Sequence, residues 1–405
     1  MPLSQRAILH CDMNNYFAAV EEKYDPSLKK IPFAVCGNPE MRHSIVMSKN
    51  GLAKSAGVIT GLSYAQAKKV CPGLGYVRAD YRKYLRETRL AREIYLKYTD
   101  SVIPYGLDEA WVDLTASGAT MAEARQIADL IRIEIMYSQG LSASVGVSDN
   151  YIFSKLGSDM ALPNATSVIT RENFKRLVWP LPAQDLLFVG KQTAYKLAAV
   201  GIFTIGDIAA STPGVLSRLL GKAGFNLWHF AHGDDRGFKP DADSIKSIGN
   251  TITAPADLSN NREASAIIYL LVNSVSARLK KHRMKTCCVS VCMKDSAFNQ
   301  KLRQTSFKTP TDDAVLLFNR AYELFTRHYS WENPLRSVGV RADRLYSPKW
   351  EQTSLFGEER RAIGADIDAR VVELTAKFGK INFEKSAATR EWKGSLNICA
   401  DATPS

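Results

Sequence analysis

The feature that most constrains the fold of this chain is an alternation of short apolar runs with helix-like segments. Residues 6–12 (RAILHCD) have the character of a strand, and residues 17–24 have that of a helix. The alternation continues and predicts strands at 33–36, twice within 101–114, at 141–148 and at 167–170, with helices at 81–98, 120–138 and 151–161. Strands mixed with covering helices predict an α+β layer.

The rest of the chain divides into four further stretches. Residues 37–78 form an insert punctuated by Gly and Pro, with two short helices. Residues 180–236 have a helical pattern with frequent glycines. A linker, GFKPDADSIKSIG, leads to a second α+β unit at residues 247–342, and the polar residues 346–405 predict at most one helix.

The charge of the chain indicates its class of partner. Its 405 residues carry 53 Lys plus Arg against 41 Asp plus Glu, a formal net charge of +12. A chain this basic favours polyanions such as nucleic acid, although a basic protein of another kind can have the same composition. No apolar run has membrane-spanning length, and the first apolar stretch is too short for a signal peptide. We therefore expect a cytoplasmic protein with no membrane partner.

Three acids, Asp12, Asp108 and Glu109, stand where predicted strands end or turn. Gly106 allows a turn just before the adjacent pair, so both acids could converge on Asp12 if the strands are neighbours. Close carboxylates repel one another unless cations neutralise them, and hard ions such as Mg²⁺ suit an all-oxygen cluster. Such a cluster would support phosphoryl transfer. The plain alternative is that Asp12 caps the next helix and the other two are ordinary turn acids.

Four segments follow one another along the first half of the chain: LHCDMNNYFAAVEE, IVMSKNGLAKSAGV, IPYGLDEAWVDLT and LSASVGVSDNYIFSKLGSDMALPNAT. In this order they resemble the Y-family of lesion-bypass DNA polymerases, and the resemblance extends to about residue 345. It implies an α+β right-hand fold with a palm of mixed sheet and helices, small fingers, a helical thumb and an α+β little finger. The implied boundaries are palm 1–36 and 79–175, fingers 37–78, thumb 176–240, little finger 241–345 and C-terminal tail 346–405.

The resemblance also implies catalytic roles. Asp12 and Asp108 match the family's metal-binding aspartates, and Glu109 matches its catalytic glutamate, which also binds metal. The carbonyl of Met13 matches the backbone metal ligand. The implied cofactor is Mg²⁺, two ions per active site, and the implied reaction adds a dNTP to a primer 3′-hydroxyl with release of pyrophosphate.

Phe17 matches the family's steric gate, a ring beneath the incoming sugar that leaves no room for a 2′-hydroxyl. Tyr16 and Lys54 are further residues that the resemblance implies at the nucleotide. The alternative for Phe17 is that it is simply a core aromatic of the first helix.

Several positions depart from the family pattern. Asn14 stands where many members have Asp, so it cannot be an anionic ligand. Gly51 and Lys54 replace a Tyr and an Arg of the triphosphate-holding segment, and Lys lacks the bidentate fork of Arg. Leu162 replaces a Lys, and Lys155 is expected to lie too far upstream to stand in for it. These departures put nucleotide affinity in question more than the chemistry.

Two further segments suggest macromolecular partners. Residues 186–209 resemble a helix-hairpin-helix, in which backbone N–H groups around Gly190 and Lys191 would bind a DNA phosphate. A helix pair with a Gly turn is the alternative. Gln352, Leu355 and Phe356, in QTSLF, resemble the peptide by which bacterial polymerases dock on the sliding clamp.

The sequence therefore predicts a template-directed, error-tolerant, lesion-bypass DNA polymerase. It would act as a monomer on primer-template DNA and dNTPs and would associate with the nucleoid. Two rivals stay open: another two-metal enzyme, such as a nuclease or nucleotide cyclase, and a catalytically weak relative that acts as an accessory protein on DNA or the clamp.

Overall fold

The computed structural model describes residues 6–37, 44–236, 238, 240 and 245–347. The chain divides into two compact units, with the division between residues 243 and 244. Within the described residues, no helix has both the length and the apolar character needed to cross a membrane.

The first unit contains strands and helices in mixed order. Its strands are β1 Ile8–Met13, β2 Phe33–Cys36, β3 Val46–Lys49, β4 Gly75–Arg78, β5 Val102–Pro104, β6 Glu109–Asp113, β7 Ala143–Ser148 and β8 Thr166–Ile169. Its helices are α1 Tyr16–Tyr24, α2 Gly51–Ser55, α3 Tyr64–Val70, α4 Tyr81–Tyr95, α5 Met121–Gln139, α6 Tyr151–Met160, α7 Phe174–Leu177, α8 Lys191–Ala198, α9 Ile205–Ala210, α10 Pro213–Leu220 and α11 Lys222–Ala231.

A five-stranded sheet in the order β5-β6-β1-β7-β8 forms the centre of this unit. The β1 strand is antiparallel to both β6 and β7, whereas β7 and β8 are parallel, so the sheet is mixed as predicted. A separate three-stranded sheet has the order β3-β2-β4. It joins β2, which the implied boundary at residue 36 assigns to the palm, with two strands of the implied fingers.

Helix α6 packs closely on the central sheet because two glycines face each other. A Cβ atom on Gly146 of β7 would lie 2.0 Å from the carbonyl oxygen of Ser154, and one on Gly157 would lie 3.1 Å from the Cα of Gly146. Only glycine permits this approach between helix and strand. The approach brings the side chains of α6 to the end of β1.

Helix α4 carries the predicted periodic stripe. Tyr84, Thr88, Ala91 and Tyr95 are buried on one face, as expected for an amphipathic helix on a core. Further along the chain, α8 and α9 are joined by a turn that contains Gly201 in the left-handed region, with φ of 79°. The helices from α7 to α11 share one apolar cluster.

The second unit is a four-stranded antiparallel sheet covered by two helices. The elements are β9 Ser247–Leu258, α12 Asn261–Lys281, β10 Lys285–Asp295, β11 Gln300–Thr311, α13 Ala314–His328 and β12 Leu335–Tyr346. The sheet order is β11-β10-β12-β9, and its apolar face packs on both helices. This unit confirms the predicted second α+β layer.

Candidate active site

Asp12 and Glu109 are paired across neighbouring strands. Asp12, near the end of β1, is the register partner of Glu109 at the start of β6. The amide of Met13 donates to the carbonyl of Asp108 at 3.0 Å, which fixes the adjacent acid beside them. Gly106, with φ of 89°, turns the chain into β6 just before the acids. The structure thus brings together the carboxyl-bearing residues that the sequence separates by almost a hundred positions.

Asp12 does not cap the following helix. The residue that precedes α1 is Asn15, in the left-handed region with φ of 47°, and it makes no side-chain capping hydrogen bond. The turn formed there ends β1 and starts α1 within three residues, which leaves the Asp12 carboxylate at the sheet end.

A lysine lies among the carboxylates. The Nζ atom of Lys155, on α6, is 2.8 Å from Glu109 Oε2 and 3.3 Å from Asp12 Oδ2. It also lies 2.8 Å from Asp159 Oδ1, one helical turn onwards. Lys155 therefore belongs to the carboxylate cluster, because the close packing of α6 on Gly146 carries it to the strand ends. That it lies too far to replace the Lys missing at Leu162 stays a prediction.

His10 lies beneath the carboxylates, fully buried in β1. Its Nε2 atom is 3.3 Å from Glu109 Oε2, and its Nδ1 atom is 2.7 Å from the hydroxyl of Ser158. Burial lowers the pKa of this imidazole, although Glu109 acts in the opposite direction. The ring therefore lies between Glu109 and the Ser158 hydroxyl of α6, and no hydrogen bond joins its Nε2 atom to Glu109 Oε2.

The pKa values of Asp12, Asp108 and Glu109 indicate that the ionised acids need positive charge close to them. Burial raises the pKa of Asp12 to about 7, opposed by Lys155 and reinforced by Glu109. Burial and the charge of Glu109 also raise the pKa of Asp108. Burial alone would raise the pKa of Glu109, but His10 and Lys155 outweigh it, so this pKa is lowered. Asp12 and Asp108 are thus destabilised as anions unless a cation is close.

The donor set suits a hard divalent cation. Within the described part of the chain, no three His, Cys, Asp or Glu side chains are already arranged around one metal position. The oxygens of Asp12 and Glu109 are instead gathered around the Lys155 ammonium. Because Asp12 and Glu109 share this one positive charge, a divalent metal ion could take the place of the Lys155 ammonium between them. Asp12, Asp108 and Glu109 are the side chains that would hold it.

Asn14 ties three segments together beside the acids. Its Nδ2 donates to Ser144 Oγ at 2.8 Å, and its Oδ1 accepts from the amide of Asn164 at 2.9 Å and from the hydroxyl of Ser142 at 3.1 Å. Ser144 Oγ in turn donates to the carbonyl of Leu162 at 3.1 Å. The amide side chain is thus engaged in holding the loop after α6, consistent with its prediction as a position that is not an anionic ligand.

Phe17 is half-buried and rests on other aromatic rings. Its ring stacks on Tyr84, with centroids 4.5 Å apart, and meets Tyr81 edge-on at 6.1 Å. Tyr16 is buried, and its hydroxyl donates to the carbonyl of Tyr84 at 2.6 Å beside the hydroxyl of Thr88. The Tyr16 ring is therefore placed to support Phe17, and its direct contact with a nucleotide stays a prediction.

Three of the departures from the family pattern, Gly51, Lys54 and Leu162, lie on exposed surface. Lys54 is exposed on α2, and Gly51, which starts this helix, has open space where a side chain would stand. Lys49 lies nearby, and burial together with the charge of Lys54 lowers its pKa. Leu162 is 76% exposed, so an apolar side chain occupies a position at the surface.

The residues predicted to bind DNA have a suitable backbone. Gly190 immediately precedes α8, whose first residue is Lys191, and no side chain caps this helix. Its first N–H groups are thus available to an anion, and binding of DNA there stays a prediction. The predicted clamp-binding residues Gln352, Leu355 and Phe356 lie outside the described residues.

The sequence did not predict that His10, Lys155 and Asp159 lie beside the acids. A signal for His10 was present, because residues two apart in a strand share a face and His10 stands two before Asp12. Lys155 and Asp159 are four apart on a helix, the spacing of a surface ion pair, which hid their relation to the acids.

Comparisons with known proteins agree with this geometry. The sequence signature of the impB/mucB/samB family matches residues 11–159, and that of its C-terminal domain matches residues 245–355. DNA polymerase IV of Acetivibrio thermocellus is 42% identical over 380 residues, which cover 93% of this chain and 95% of that protein. DNA polymerase IV 1 of Bacillus subtilis is 31% identical over 399 residues, which cover 96% and 95%.

A solved structure of a Y-family DNA polymerase chimera has the same fold. It aligns with a TM-score of 0.75 at 22% sequence identity, covering 84% of this chain and 99% of that chain. Both family signatures and the relatives of nearly equal length thus indicate the same family of polymerases. The chain belongs to the Y-family of DNA polymerases.

Proposed function

We propose that Asp12, Asp108 and Glu109 hold the divalent metal ions with which this polymerase extends a primer. The enzyme carries out template-directed, lesion-bypass DNA synthesis on primer-template DNA with dNTPs, and Y-family polymerases use divalent metal ions. The observation that carries the proposal is the pairing of β1 with β6, which sets Asp12 opposite Glu109. The accessory-protein alternative is not favoured by relatives that are named as polymerases.

The proposed cofactor is Mg²⁺, two ions per active site, because all of the donors are oxygens. Bound there, such ions would neutralise the charge that develops as the primer 3′-hydroxyl attacks the α-phosphorus of the dNTP and pyrophosphate leaves. The chain's own contribution is to hold Asp12 and Glu109 opposite each other through the pairing of β1 with β6. The Met13 carbonyl is a further proposed ligand.

We propose that Phe17 excludes ribonucleotides and that Lys54 meets the triphosphate. The Phe17 ring has a firm support in Tyr84, so it can act as a fixed wall beneath the sugar. Lys54 is exposed and close enough to Lys49 to affect its pKa, so a phosphate would meet more than one positive charge there. This pair would offset part of the phosphate contact absent at Leu162.

Contacts with DNA and other proteins are a further part of the proposal. The uncapped start of α8 at Gly190 and Lys191 would bind a backbone phosphate without reading a base. QTSLF would bind the sliding clamp, and the enzyme would work as a monomer at the nucleoid in the cytoplasm. A QTSLF peptide that competes with the polymerase for the clamp would support clamp binding.

The test is primer extension on a template that contains an abasic site, with the primer alone labelled. Wild-type protein with Mg²⁺ should lengthen the primer past the lesion, whereas a nuclease would shorten it and a nucleotide cyclase would leave it unchanged. Asp108→Ala should abolish extension while DNA binding, measured by anisotropy, stays within about twofold, because this acid binds metal and not the duplex. Asp185→Ala, an exposed acid of a short helix elsewhere, is the matched control and should extend normally.

Extension by Asp108→Ala at the wild-type rate would refute the assignment of the metal site. Loss of DNA binding in the same variant would mean that the change damages the fold. Primer extension would then be measured with Asp108→Asn, which keeps the shape of the side chain, and extension at the wild-type rate by that variant would refute the assignment.

A further inference from the structure

The ammonium of Lys155 lies at the place where the proposed metal site needs positive charge. Its Nζ atom contacts both Glu109, at 2.8 Å, and Asp12, at 3.3 Å, and the side chain is only 11% exposed. These are the two acids that the β1 and β6 pairing sets opposite each other. Lys155 is thus an internal cation of the site rather than a surface residue.

A divalent ion and this ammonium compete for the same oxygens. An ion ligated by Asp12 and Glu109 would stand within a few ångströms of Nζ, and two cations at that distance repel strongly in a partly buried site. Without any cation, however, Asp12 and Glu109 would be left as two unneutralised, mostly buried anions. One cation must therefore leave as the other arrives.

Asp159 offers the lysine a second place. It lies one turn along α6, its Oδ1 atom is 2.8 Å from Nζ, and its side chain is 45% exposed. It is therefore the partner of Lys155 that faces solvent, away from the buried acids. A small rotation of the Lys155 side chain would keep this ion pair while releasing Asp12 and Glu109.

We propose that Lys155 is the counter-ion of the metal-free site and that Asp159 receives it when a divalent cation binds. Lys155 and Asp159 are thus positioning residues that set the affinity for metal. This inference rests on the proposed function, since it requires Asp12 and Glu109 to be metal ligands.

The proposal predicts opposite effects for two substitutions. Lys155→Met removes the competing cation and should tighten metal binding, whereas Asp159→Asn removes the solvent-facing partner and should weaken it. We expect changes of about fivefold or more, as for charge interactions at partly buried positions. General damage to the site would weaken binding in both variants, so tighter binding by Lys155→Met cannot arise from misfolding.

The experiment is a titration of the full chain with Mn²⁺, without DNA or nucleotide, in which free Mn²⁺ is measured by electron paramagnetic resonance. Only the Mn²⁺ binding that Asp12→Asn removes is assigned to this site, because Mn²⁺ bound elsewhere on the protein should be unaffected by that substitution. Lys222→Met, at the exposed start of α11, is the matched control for a change of net charge and should leave the affinity unchanged.

The outcomes separate the two proposals. If wild-type protein shows no Mn²⁺ binding that Asp12→Asn removes, the metal site itself is wrong and this inference falls with it. If wild-type protein binds but Lys155→Met binds equally or more weakly, or Asp159→Asn binds as tightly as wild type, only the role of Lys155 and Asp159 is overturned.

Discussion

Replacement of Phe17 by Ala should open the active site to ribonucleotides. The ring stacks on Tyr84, with centroids 4.5 Å apart and planes at 28°. Tyr84 is itself fully buried, and its hydroxyl donates to Glu21 Oε1 at 2.7 Å. Because Tyr84 is held in this way, we expect the Phe17 ring to stay in place and to exclude a 2′-hydroxyl.

The size of the effect follows from this geometry. A packed apolar wall rejects a substrate with one added hydroxyl by about 10²-fold. Phe17→Ala should therefore lower the preference for dNTP over rNTP by about that factor, or about 2.7 kcal/mol of transition-state stabilisation. Phe17 is only half-buried, so its loss should cost less folding stability than the roughly 3 to 5 kcal/mol of a fully buried Phe, and the variant should fold.

The assay is single-turnover incorporation of dCTP and of CTP opposite a template guanine, each at several concentrations. Tyr84→Phe keeps the supporting ring while removing the Glu21 hydrogen bond, so it should retain most of the sugar preference. Tyr137→Ala, which truncates an aromatic residue that is 82% exposed on α5, is the control for loss of a ring elsewhere. An unchanged ratio of dCTP to CTP incorporation in an active Phe17→Ala variant would refute the gate.

Three more predictions concern the framework of the site. Gly146→Ala should destabilise the first unit by about 3 kcal/mol or more, since its Cβ would lie 2.0 Å from the carbonyl oxygen of Ser154; wild-type stability in urea unfolding would contradict this. Asn14→Leu should cost about 2 to 3 kcal/mol in the same assay, because the amide of Asn164 and the hydroxyl of Ser142 lose their acceptor, Asn14 Oδ1. Burial raises the pKa of Asp12 to about 7, above the value of about 3.9 in an unfolded chain, so the folded protein binds this proton more tightly than the unfolded chain does. Protonation of Asp12 therefore favours folding fully below about pH 3.9, and this contribution is lost as the pH rises through about 7. In EDTA, the melting temperature of wild-type protein should thus fall between about pH 4 and pH 7 relative to that of Asp12→Asn and change little above that range, and parallel curves would count against the burial of this acid.

Much of the fold follows from patterns of apolar residues in the sequence. The β1 strand follows from a continuous apolar run that is buried on both faces, whereas α4 and the second α+β unit follow from apolar faces that pack on a core. The β11 strand has no clear apolar pattern in the sequence, because most of its residues are exposed, as expected for the edge of a sheet. The sequence did not predict β3 (VMSK) and β4 (GYVR), because each mixes apolar with polar or small residues, whereas the equally short β2 (FAVC) is apolar throughout.

The residues of the active site also divide into those that the sequence predicts and those that only the structure shows. The acids Asp12, Asp108 and Glu109 could be named from the sequence, because they stand at strand ends in recognisable motifs. The place of Lys155 could not, since it depends on how closely α6 approaches β7, and that distance is set by the facing glycines Gly146 and Gly157. Packing distances between elements are a tertiary property that no local pattern contains.

If Asp12 and Glu109 hold the same metal ions, the two acids must act as one unit in catalysis. Single-turnover incorporation of dCTP would be measured for Asp12→Asn, Glu109→Gln and the double variant, with DNA binding measured alongside. Because both side chains are proposed to hold the same ions, we expect each single change to lower the rate by at least about 10³-fold and the double change to cost little more than the worse single one. Losses that simply multiply in the double variant would mean that Asp12 and Glu109 work at independent sites, and the account would be wrong.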